Sequence, residues 1–217
     1  MGISFLLIKA SQASILIPII AGLRYYKRLE KPYKWFIGFF ILSGLVEIAA
    51  TQMMHLKLHN NMPLLHGFTV IEGSIFIYIY YIYFKTNRFI NRSLILVYPI
   101  FLFLVFADAF WIDGIWNSNS WARGFECLIL VILAHYYFYI FFKENFDREV
   151  WSQPMFWLSA GVLFYFALNI PFFMLYSFFI SGNYQLVYLG LNIHSIINIF
   201  TNILFAITFL CFQPKTN

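Results

Sequence analysis

Seven apolar runs of about twenty residues, joined by short polar connections, leave this chain few ways to fold. At about 1.5 Å per residue, a helix of that length crosses the hydrocarbon of a bilayer, about 30 Å thick. The runs cover about residues 5–23, 35–54, 64–84, 93–112, 121–142, 155–180 and 186–210. Inside hydrocarbon each segment must pair its own backbone N–H and C=O groups, so the runs read as helices. Composition agrees, since 62% of the 217 residues are hydrophobic and only 11% charged, a balance that excludes a soluble domain of this size. The expectation is an all-α, seven-helix transmembrane bundle forming one domain over residues 1–217, with no room for a soluble domain at either end. Pro171 lies inside the sixth run and predicts a kink or tilt there.

Orientation follows from the cations. Of the fourteen Lys and Arg residues, eleven fall on one side: Arg24, Lys27, Arg28, Lys31 and Lys34, then Lys85, Arg88 and Arg92, then Lys143 and Arg148, and finally Lys215. Lys9, Lys57 and Arg123 are the exceptions. Positive loops stay cytoplasmic, which predicts the N-terminus outside and the C-terminus in the cytoplasm. The formal charge of +5 therefore reads as a topology signal and does not point to nucleic acid. The start lacks a basic n-region ahead of its apolar run, as an uncleaved N-out anchor would. Cys127 and Cys211 fall toward opposite ends of their spans, which argues against a disulfide between them.

Four acids lie inside the runs: Glu47, Glu72, Asp108 and Glu126. An ionised side chain at bilayer depth costs about 3 kcal/mol or more, so each is a candidate site residue. With the N-terminus outside, all four fall in the outer half, together with His55, His66, His194, Lys9 and Gln12. Ser43, Glu47, Thr51 and His55 recur every four residues and make one polar face of the second span. In the last span His194, Asn198, Thr201 and Asn202 share a face turned away from Ile196, Ile199, Phe200 and Ile203. In the sixth, Tyr165 and Asn169 stand one turn apart before Pro171. Glu126 and Tyr137 lie on one face of the fifth, and His135, about half a turn away, reads as a structural hydrogen-bonding residue. His59 and Asp113, in predicted loops, read as solvated. The 28 Phe and 15 Tyr read as lipid-facing bulk and interfacial belts, with Trp111, Trp116 and Trp121 bracketing an outer loop.

Three specific chemistries can be set against these residues. A zinc site would draw on His55, His66 and His194 with an acid, leaving a position for water. Seven-helix hydrolases of the alkaline ceramidase and adiponectin-receptor-like group carry zinc histidines in their second and last spans, but here His194 is followed four residues later by Asn198. A retinal Schiff base needs a lysine in the last span, and residues 186–210 contain none. Small seven-helix sugar carriers show repeated halves and proline-bearing motifs that this chain lacks. The run LVILAHYYFYIFF (130–142) prompts comparison with lysoplasmalogenase-like enzymes, whose paired acidic motifs are not recognisable here.

The segments FWLSAGVLFYFALNIPFF (156–173) and NIHSIINIFTNILFAITFLC (192–211) resemble uncharacterised bacterial seven-helix membrane proteins, in which acids recur at the positions of Glu72 and Glu126. Some genes of that group stand beside sensor histidine kinases, and the resemblance implies a sensory role. The combined expectation is a multi-pass receptor-like protein of the bacterial inner membrane, leaning away from an enzyme, with zinc as the one cofactor left open. It would bind a small ligand in an outward-facing polar cavity through Glu47, Thr51, Glu72, Asp108, Glu126, Asn169, His194 and Asn198. Its cytoplasmic loops would meet a histidine kinase or another signalling partner. The alternatives are a zinc-dependent lipid hydrolase and a small solute or proton-coupled transporter.

Overall fold

The structure, a computed structural model, describes residues 2–56, 60–144, 150–182 and 184–212. Lys57, His59, Arg148 and Lys215 lie outside the described residues, as does the side chain of His55. Among the described residues eight α-helices follow one another: α1 (Gly2–Ser14), α2 (Leu16–Arg24), α3 (Lys31–His55), α4 (Met62–Tyr83), α5 (Arg88–Ala107), α6 (Ser120–Glu144), α7 (Pro154–Gly182) and α8 (Tyr184–Leu210). They make seven helical segments long and apolar enough to cross a membrane. The first expected span is the one that divides, into α1 and α2. Pro18 has no N–H to offer Ser14 and its ring crowds that carbonyl, so α1 stops at Ser14 and α2 starts two residues on. Pro171, by contrast, sits within an unbroken α7. At its far end α5 runs into a π-helical turn, Asp108–Ile112.

The spans close on themselves. α8 returns to pack against α1, α2 and α7, while α4 touches α3, α5 and α6. The exterior is apolar, with Leu6, Leu96, Phe103 and Ile132 largely exposed, as expected where the solvent is hydrocarbon. The interior is aromatic at its centre. Phe36 of α3 packs edge-on against Phe205 of α8 at 5.1 Å, and Phe76 of α4 meets Phe166 of α7 at 5.6 Å and 86°. Such edge-to-face pairs add about 0.5–1.5 kcal/mol beyond the area they bury.

One helix face shows how the core positions the site. Along α4 the buried residues run His66, Thr69, Glu72, Phe76, Tyr80, one turn apart. The face is polar from its Met62 end to Glu72 and aromatic from Phe76 onward. Glu72 thus lies about 15 Å along the helix from the Met62 end, on top of the aromatic layer. Beyond that layer Tyr80 donates to Ser159 Oγ of α7 at 3.1 Å.

Candidate functional site

Two acids of the expected set meet at an arginine. Arg123, in the first turn of α6, reaches Glu72 Oε2 of α4 and Glu126 Oε2 one turn further along α6, the latter at 2.7 Å. Glu126 is fully enclosed and Glu72 nearly so, while 14% of the Arg123 side chain remains accessible. One guanidinium thus serves two carboxylates. The other Glu126 oxygen, Oε1, is buried with no hydrogen-bond partner among the described residues. Gly73 explains how it fits: a Cβ there would lie 3.2 Å from Oε1 and would collide with the Phe101 ring of α5. Only a glycine lets α4 approach this closely.

Aromatic rings link the acids to a second pair of candidates. The Phe173 ring of α7 stands 4.9 Å from the Arg123 guanidinium carbon, within cation–π range, and 5.7 Å from the His194 ring. His194 Nδ1 is 2.8 Å from Asn169 Oδ1 and its ring stacks on Phe172 at 5.4 Å. Asn169 in turn donates to the Tyr165 carbonyl at 2.7 Å. The Tyr165 ring also meets the His194 ring edge-on at 5.9 Å. Glu72, Arg123, Glu126, Asn169 and His194 therefore form one continuous region between α4, α6, α7 and α8.

The remaining expected residues go elsewhere. Glu47 is exposed on α3, where Gln12 of α1 donates to its Oε1 at 2.7 Å, and Lys9 donates to Gln12 at 2.9 Å. Thr51 returns its hydroxyl to the Glu47 carbonyl of the same helix. Asn198 donates to Ser11 Oγ at 2.9 Å. It belongs to a row that joins α8 to α1, with Asn192 donating to Ser4 and Asn202 to Ser14. The polar stripe of the last span is thus divided: His194 turns to α7 and the asparagines turn to α1. His135 is exposed on α6.

Asp108 serves the backbone. Its Oδ2 accepts from the Ala122 N–H at 3.3 Å, placing a carboxylate on the positive end of α6. Its carbonyl accepts from the N–H groups of Asp113 and Gly114, and the turn passes through a positive φ of 84° at Gly114. Asp113 is half-buried beside Asp108 and not freely solvated as its loop position suggests. His66 Nε2 lies 3.2 Å from the Asn117 carbonyl of the same connection. His66 and His194 thus have separate partners, and the zinc expectation also draws on His55, whose side chain is not described.

Arg123 is the member that sequence reading misses. It counts as one of three cations off the basic side, a topology exception. The available signal is its spacing, three residues before Glu126, which puts both on one face within one turn of a span. No family model, curated protein or solved structure matches this chain.

Proposed function

We propose that this protein is a receptor-like sensor of the bacterial inner membrane, its N-terminus outside and its C-terminus cytoplasmic, with the Arg123 cluster as its ligand-responsive element. The observation that carries the reading is the partnerless, buried Glu126 Oε1 beside a guanidinium shared by two carboxylates. An unmet acceptor of this kind costs about 1–3 kcal/mol, more for a charged group. A small ligand with an ammonium or hydroxyl group regains that energy by donating to Oε1. It also loosens one carboxylate from Arg123, which shifts α4 against α6. Accessibility at Arg123 supplies the approach, while Asn169 and His194 bound the far side of the region. The basic connections offer a surface to a separate signalling partner such as a histidine kinase.

The test is thermal unfolding of the protein in mild detergent against a panel of primary amines and polyols. A ligand at one hundred times its Kd adds about 2.7 kcal/mol of stability. Glu126→Gln keeps the shape but removes the charge and should abolish that shift. A panel without any stabilising compound, or a shift that survives Glu126→Gln, rejects the assignment.

A further inference from the structure

A second feature lies further along α4, the one helix it shares with the Arg123 cluster. A groove of about 570 Å³ opens between α3, α4 and α5. Its floor is one face of α4, where Ser74, Ile77, Tyr78 and Tyr81 recur at three, four and seven residues. Its walls are Lys31 and Trp35 of α3 on one side and Leu94, Ile95 and Tyr98 of α5 on the other. The Ser74 and Tyr98 hydroxyls meet at 3.2 Å near its inner end.

We infer that this groove is a binding site for one anionic phospholipid, with an acyl chain along the floor and the phosphate on Lys31. The groove is cut into the apolar exterior of the bundle. Left empty, its lining would lose dispersion contacts, and an apolar cleft offers water too few partners, so a hydrocarbon chain is the fitting occupant. Charge selects the headgroup. Lys31 is exposed at the groove mouth, at the end of a stretch that holds Arg24, Lys27 and Arg28 against the single acid Glu30. Arg88 adds to this, since it is exposed and lies two turns from Ile95 on the same face of α5, toward the same end. Basic pockets between helices at a membrane surface attract anionic headgroups in this way. Trp35, half-exposed beside Lys31, sits where an indole ring prefers the headgroup boundary.

The probe is phosphatidylglycerol. The protein is equilibrated with equal amounts of phosphatidylglycerol and phosphatidylcholine in mild detergent, and retained lipid is counted by native mass spectrometry. One phosphatidylglycerol per chain is expected, held in preference to phosphatidylcholine. Lys31→Glu should lower its retention about fivefold or more, and Ile95→Trp, which fills the groove, should displace it. Lys34→Glu is the control, because Lys34 lies over the Tyr26 ring at 5.3 Å and does not line the groove. Equal retention of the two lipids overturns the site. So does an equal loss in Lys34→Glu, which would mean diffuse attraction to a basic surface. Fluorescence supplies an independent reading that needs no charge reversal. Phosphatidylglycerol with brominated chains should quench a component of the emission that is missing in Trp35→Phe, and the same emission loss in both proteins counts against the groove.

Discussion

Two of the polar systems inside the bundle are built on opposite plans. Between α1 and α8, three asparagines meet three serines one to one, at 2.8–3.0 Å, and every contact is neutral. Between α4 and α6, a single guanidinium is shared by two carboxylates, and one oxygen remains unmet. The first plan joins helices at little risk, since each such bond contributes about 0.6 kcal/mol and no charge is buried. The second concentrates energy in one place, because desolvated charges are costly unless each is compensated. A chain that needed only cohesion would be served by the first. The charged system therefore carries the functional assignment, and the neutral one is read as glue.

The sharpest way to break the comparison is to remove the shared cation. Arg123→Leu leaves two carboxylates uncompensated and should destabilise the protein by about 3–5 kcal/mol, read from denaturant unfolding in detergent micelles. Adding Glu72→Gln and Glu126→Gln to that variant should restore most of the loss. If Arg123→Leu unfolds like the parent, the cluster is not the charged keystone described here. Closing the approach of α4 comes next. Gly73→Ala sets a methyl group against Phe101 and Glu126 Oε1, and overpacking of this kind costs about 1–3 kcal/mol by the same measurement.

Asp108→Ala separates an acid that holds backbone from the acids proposed to hold a ligand. Losing a carboxylate at the start of α6 should cost about 1 kcal/mol, as for a helix cap, while ligand-induced stabilisation stays intact. A vanished ligand shift would return Asp108 to the site. The smallest effect belongs to the neutral row. A double-mutant cycle of Ser14→Ala and Asn202→Ala should give a coupling of about 0.6 kcal/mol, and a value near that of a buried charge pair would erase the contrast between the two systems.

Much of this molecule is legible in its residues. Helix existence and length follow from apolar runs, because a segment in hydrocarbon must satisfy its own backbone whatever its neighbours do. The observed α3, α4, α6, α7 and α8 accordingly match the expected runs to within about four residues at each end. Glu72 and Glu126 are likewise visible as candidates, since an acid within an apolar run needs a reason to be there. The partner of an acid is harder to read. Glu47 and Glu72 look alike in sequence, each an acid deep in a span, yet one is exposed beside Gln12 and the other is buried against Arg123. Asn198 and His194 share a helical face but lie between two neighbours, and a face wide enough to touch both can be divided between them.

The sequence by itself determined seven helical spans, their approximate ends, the clustering of cations on one side and the presence of costly acids within the spans. These are local properties, decided by each segment's own hydrophobicity and backbone needs. Tertiary structure alone decided that α8 closes the bundle against α1, that Arg123 bridges α4 and α6, and that a groove opens beside Lys31. Those depend on which faces meet, and in a membrane, where apolar surfaces pack on lipid and on one another with similar energies, shape and a few polar contacts make that choice.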